Sequence, residues 1–190
     1  MRLTVRFLSR LPWLSLIAAM ACHGAPAATS SPTSASAPRV TEANIVAIIL
    51  AANNTDLSYA RLVPARARSA EVKAFAQRMT TDHTMLNARV TDIAMRNGIT
   101  AEDDAISLDF RDHSAARRDV LRELEGARFD STYAANEIQY HQELLSAIDG
   151  VLVPNTRNAE LREFVMNLKP AVSAHLAHAE QVRATLATRK

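Results

Sequence analysis

From Thr41 onward, apolar residues recur three or four positions apart in long runs with few helix breakers, the signature of amphipathic α-helices. The first predicted helix starts at Thr41, a capping residue followed by Glu42, and carries Ile45, Ile49, Tyr59 and Leu62 toward Pro64. Its middle, Asn53-Asn54-Thr55-Asp56, has poor helix propensity. Either the helix breaks there and Asp56 caps a second piece, or an inward seam carries polar groups. A second helix runs from Ser69 as cap to Gly98 as a left-handed stop, with Val72, Ala76, Met79, His83, Leu86, Val90 and Ile93 on one stripe. A third opens at Asp103-Asp104 and extends to Gly126. Its thin stripe of Ile106, Phe110, Val120 and Leu124 among many charges predicts a peripheral position.

Phe129-Asp130 leads into a fourth helix whose inward face takes Tyr133, Glu137, His141, Leu144 and Ile148 before Gly150 and Pro154. The fifth starts at Asn158 and is the most regular: Leu161, Val165, Leu168, Val172, His175, Ala179, Val182 and Leu186 alternate spacings of four and three. Pro170 interrupts its backbone donors and predicts a kink. The short connections near Arg66 to Arg68 and Pro154 to Arg157 describe two helical hairpins, and the third helix is long enough to cross between them. The expectation is an all-α four-helix bundle with an additional peripheral crossover helix.

Titratable residues interrupt the apolar stripes at one level. His83, Glu137, His141 and His175 occupy inward positions, Asp56 lies at a similar height, and His178 flanks the His175 face. Bundles build metal sites from groups projecting inward from facing helices, so these six are candidate ligands for a divalent ion such as Zn, Fe, Mn or Cu. Asp82 and Tyr140 are candidates to support them from behind; Asp82, rotated from the His83 stripe, is also placed to pair with Arg78 one turn back. The competing reading is a hydrogen-bonded network that satisfies the same groups without metal. His113, among Arg111, Asp112, Arg117 and Arg118, reads as a rim histidine.

Composition agrees with helices: of 190 residues only 4 are Gly and 7 Pro, and 48% are hydrophobic. Residues 1–21 carry three arginines and then a short apolar stretch, the pattern of a secretory signal. Cys22, the single cysteine, follows Ala19-Met20-Ala21, which fits both ordinary signal cleavage and a loose lipobox that would lipidate Cys22. Residues 22–40, rich in Ala, Ser, Thr and Pro, read as a tether, leaving residues 41–188 as the helical domain. Without Arg2, Arg6 and Arg10 the 22 basic residues fall to 19 against 20 acidic ones, a net charge of −1, so nucleic acid is not an expected partner. The expected location is the periplasm or outer membrane, with membrane contact only through a lipid on Cys22 and no protein partner specified.

The segments F-A-Q-R-M-T-T-D-H-T from Phe75, F-D-S-T-Y from Phe129, N-E-I-Q-Y-H from Asn136, V-L-V-P-N-T-R-N-A-E-L from Val151 and K-P-A-V-S-A-H-L-A-H-A from Lys169 together resemble an exported bacterial family, domain of unknown function 4142. The resemblance covers nearly all of Thr41 to Leu186 and implies a ferritin-like bundle, in a family whose members are often labelled putative outer membrane proteins. It brings no established activity. The matching polar positions are Asp82, His83, Glu137, His141, His175 and His178. A ferritin-like di-iron site would need a Glu-x-x-His on each of two helices, and neither Glu137 with His141 nor Thr80 with His83 has that form. The chain also has no Gly-rich phosphate loop, nucleophile elbow or Cys-based metal motif. The two functional expectations are a metal-binding exported protein and a non-catalytic envelope interaction protein.

Overall fold

The structure, a computed structural model, describes residues 39–188. The expected signal segment, the expected tether up to residue 38 and Cys22 lie outside the described residues. Those described are all-α: α1 (Glu42–Ala60), a single turn α2 (Val63–Arg66), α3 (Ala70–Arg96), α4 (Ala105–Arg122), α5 (Gly126–Ala147), a π-helical turn over Ile148–Leu152, the short α6 (Val153–Asn155) and α7 (Ala159–Thr188). None of the described helices is long and apolar enough to cross a membrane.

Each long helix begins where its sequence supplies a cap. Thr41 Oγ1 accepts from Asn44 N at 3.2 Å while Asn44 Oδ1 accepts from Thr41 N at 3.0 Å, a reciprocal box that satisfies two free amides of α1. Ser69 caps α3, Asp104 and Ser107 form a second box at α4, and Asn158 Oδ1 accepts from Leu161 N at 3.0 Å to start α7. Caps also join helices. The Glu42 carboxylate accepts from the amides of Arg157 at 2.6 Å and Asn158 at 2.9 Å, which pins the beginning of α7 to the beginning of α1. Gly98, with φ of 64°, supplies the left-handed stop of α3.

The hairpin partners pack as their short connections require, α1 against α3 and α5 against α7, and α3 also meets α7. One continuous core joins the four long helices, from Ile45 and Tyr59 through Phe75, Met79, Tyr133 and Tyr140 to Leu161 and Val172. The fourth helix in sequence order, α4, lies against α1 and buries little of itself: Ser107, Ser114 and Leu121. Its expected stripe is corrected by one position, since Val120 is exposed and Leu121 points inward. Helix α4 also stops at Arg122 rather than Gly126, because Gly126, with φ of 59°, opens α5.

With α3 on one side and α4 on another, α1 is enclosed, and thirteen of its 19 residues are buried. This accounts for the unbroken apolar run Ile45 to Ala52, which a helix with one wet face would not carry. It also decides the Asn53 to Asp56 question. The helix does not break, Asp56 caps nothing, and Asn53, Thr55 and Asp56 are buried along its seam. Pro170 sits within an otherwise continuous α7, and the π turn at Ile148–Leu152 absorbs Gly150 before Pro154 takes an early position of α6, where it has no amide to lose.

Candidate metal centre

At one level of the core α1 contributes Asn53 and Asp56, α3 contributes His83, α5 contributes Glu137 and His141, and α7 contributes His175. All six are buried, with Asp56, Glu137 and His141 fully inaccessible. One nitrogen from each of His83, His141 and His175 lies within 4.8 Å of the others, and so do one ligand atom each of Asp56, Glu137 and His141. His141 is common to both groups. These buried groups are close enough to hold a metal ion, with imidazole and carboxylate donors suited to first-row transition metals.

The ring orientations follow from what holds each histidine. His141 Nδ1 is 2.8 Å from the backbone carbonyl of Glu137, and a carbonyl only accepts, so Nδ1 carries the proton and Nε2 is a lone pair. His83 Nδ1 donates to Asn53 Oδ1 at 2.8 Å. His175 Nε2 donates to Asp82 Oδ2 at 2.8 Å. The nitrogens left over, His83 Nε2, His141 Nε2 and His175 Nδ1, are all buried without a hydrogen-bond partner. Both oxygens of Asp56 and both of Glu137 are in the same condition. His83 Nε2 and His141 Nε2 stand 3.2 and 3.6 Å from Asp56 Oδ2, within ion-pair reach but not aligned as hydrogen bonds.

Burial and mutual charge set the protonation of the cluster. Burial pushes the Asp56 carboxyl up, but the neighbouring His83, His141 and His175 outweigh it and hold Asp56 below its ordinary value. Glu137 lies well above the usual carboxylate range, through burial first and then the Asp56 charge. Two carboxylates this close do not both ionise, and Asp56 keeps the charge. For His83 burial is outweighed by Asp56, so its pKa rises, whereas burial dominates His141, which falls to about 4, and His175, which also falls. Near neutral pH two imidazoles are thus neutral and ready to donate lone pairs.

The structure also places the remaining candidates. Asp82 Oδ2 accepts from Arg78 Nε at 2.6 Å as well as from His175, so it makes the surface pair expected of it and holds a histidine besides. The Tyr140 hydroxyl donates to Ala52 O at 2.6 Å, fastening α5 to α1, and its ring meets His141 edge-on with centroids 5.9 Å apart. His178 packs edge-on against Phe75 at 5.1 Å and is in neither ligand group among the described residues. His113 is exposed beside Asp109 on α4.

Two participants were not singled out as site residues from the sequence. Asn53 orients His83, and its signal was the polar run inside an apolar helix, three residues before Asp56 and so on the same face. Tyr133, one turn before Glu137, has a buried hydroxyl without a hydrogen-bond partner, and it lies close enough to Glu137 for that charge to raise its pKa further above the ordinary value, after burial.

An all-α domain whose long helices bring Asp, Glu and His side chains together in its buried core defines the class. The chain belongs to the family described as domain of unknown function (DUF4142), whose model matches residues 27–182. None of the curated proteins and none of the solved structures matches it.

Proposed function

We propose that this is an exported helical protein that binds a divalent first-row transition-metal ion, Zn, Fe, Mn or Cu, among Asp56, His83, Glu137, His141 and His175. Its role is to hold that metal in the bacterial envelope, periplasmic or lipid-anchored, under metal or oxidative stress. The observation that carries this reading is the pairing in the three histidines: one nitrogen held by an oxygen acceptor, the other buried and unpartnered. Metal-ligating histidines are oriented in this way, and a buried polar atom without a partner costs about 1–3 kcal/mol, so seven such atoms in one place call for a cation. Donors bound at about 2.1 Å from one ion stand at most ~4.2 Å apart, so small side-chain rotations close the site.

A second reading, an envelope interaction protein with a structural polar seam, is favoured by the His83–Asp56 pair, in which a protonated imidazole 3.2 Å from the carboxylate balances its charge without metal. Elemental analysis of purified protein, with thermal unfolding in Zn, Mn, Fe and Cu, separates the two. Metal binding only to the folded state stabilises by about 2.7 kcal/mol at a hundredfold excess over Kd, and His175→Ala should lose most of that gain. Absence of bound metal together with unchanged unfolding in every ion leaves the structural seam. Export is tested separately: Cys22→Ser should release a lipid-anchored protein from membranes without stopping its secretion.

A further inference from the structure

A site whose ligands are all buried needs a way in. Two features of the described core reach toward it. One is an apolar cavity of about 30 Å³ bordered by Asn53 and His83 and otherwise lined by side chains such as Ile48, Leu86, Phe110 and Leu168. Its one side-chain oxygen, Asn53 Oδ1, already accepts from His83, so a hydrated cation finds no free oxygen there to replace its water, and stripping that water is costly. The other is polar. His175 is the most exposed of the five proposed ligands, at 5%, and the side chain of Asp82 beyond it is 18% accessible. Asp82 Oδ2 therefore connects solvent to a ring whose other nitrogen, Nδ1, is buried without a partner. Arg78, 64% exposed, closes the outer side by donating Nε to that same oxygen at 2.6 Å.

Building on the metal-binding reading, we infer that Asp82 and His175 form the entry port by which a divalent cation reaches the buried cluster, with Arg78 as a latch on its outer side. Asp82 has two oxygens and two donors that both use Oδ2, so an arriving cation meets a carboxylate whose charge the guanidinium neutralises. Swinging Arg78 into solvent uncovers the carboxylate. His175 Nε2 keeps its proton for Asp82, so the cation exchanges onto the lone pair of His175 Nδ1, the first buried ligand atom, and from there onto His83 and His141, whose rings lie 5.4 Å from that of His175. Because the latch must open for passage in either direction, it governs rates and not the final affinity.

The test is stopped-flow mixing of purified protein with Co²⁺ alone, read by its visible ligand-field absorption, with release read by transfer to a chelator. Arg78→Gln should speed uptake and release together by about fivefold, the population shift expected for loss of an exposed ion pair, and leave Kd unchanged. Leu86→Ala, which widens the apolar route, and Arg117→Gln, on α4, should leave both rates as in the wild type. Faster uptake with unchanged release would mean simple removal of a repelling charge and would overturn the latch. Unchanged rates in Arg78→Gln, or acceleration by Leu86→Ala instead, would overturn the port while the metal site stands. A wild type that gives no cobalt absorption at all removes the metal site itself.

Discussion

Asp56 and Asp130 are both aspartates buried within helices of the same core, and they are treated in opposite ways. Asp130, on α5, accepts from the amides of Arg68 at 3.1 Å and Ser69 at 2.8 Å, one to each oxygen, and so finishes the N-terminal end of α3. Asp56, on α1, has no hydrogen bond to either oxygen and faces histidines instead. A carboxylate satisfied by fixed backbone donors is a fastening. One surrounded by side chains that can exchange a proton for a cation is a site, and the difference lies in the partners rather than in burial.

The largest effect should come from breaking the fastening. Asp130→Ala strands the buried amide of Ser69 and the part-buried amide of Arg68 and removes two charge-assisted bonds, each worth about 1.5–3 kcal/mol, so denaturant unfolding should show a loss of roughly 4 kcal/mol. The loss should be equal with and without metal. A larger loss in the presence of Zn than in its absence would mean that Asp130 also shapes the seam.

Acid should act on the other aspartate's surroundings. The pKa of His141 is about 6.5 in the unfolded chain and about 4 in the folded one, so the unfolded state binds the extra proton. That contribution is fully present above pH 6.5 and is lost as pH falls toward 4, up to about 3 kcal/mol in the metal-free protein. His175, also lowered by burial, acts in the same sense. His83 is raised and acts oppositely, its pairing with Asp56 fully present below the ordinary histidine value and lost as pH climbs through its folded one. Unfolding free energies from pH 7.5 to 4.5 should therefore fall, and His141→Asn should flatten the decline; an equally steep decline in that variant would assign it elsewhere.

Asp56→Asn sharpens the contrast further. It removes the charge that His83 pairs with but keeps the shape of the site, and His83 can shed its proton, so the metal-free protein should lose about 1–2 kcal/mol, less than Asp130→Ala. The stabilisation by Zn, about 2.7 kcal/mol at a hundredfold excess over Kd in the wild type, should nearly vanish. Calorimetry with and without Zn reads both quantities. A variant that is unstable without metal but still responds to it would reverse the roles given to the two aspartates.

The sequence carried the helices because their stripes repeat every three or four residues, and it carried His83, Glu137, His141 and His175 because each replaces an apolar residue in such a stripe. It could not say that α1 is enclosed, since burial of its far face depends on where α4 docks, nor that Asn53 turns toward His83. Asp130 was read as the lead-in to a helix because aspartate favours helix starts. Its true contact, with α3 some sixty residues earlier, is a matter of tertiary packing that no local pattern encodes. Asp82 was legible only by half: its helical neighbour Arg78 is local, but His175 arrives from another helix.

The smallest expected effect separates support from ligation. Tyr140 lies next in sequence to His141 and touches its ring, yet its hydroxyl is spent on Ala52 O, four residues before Asp56 on α1. Tyr140→Phe keeps the ring and its edge contacts with Tyr59 and Phe110 while removing one neutral hydrogen bond, a cost of about 1 kcal/mol. The Ala52 carbonyl stays within the helical bonding of α1, so Asp56 should keep its place and the Zn-dependent gain in melting temperature should match the wild type. If instead the gain shrinks while the metal-free stability barely moves, the hydroxyl is what sets the depth of α1 against α5, and Tyr140 belongs with Asn53 and Asp82 among the residues that position the ligands.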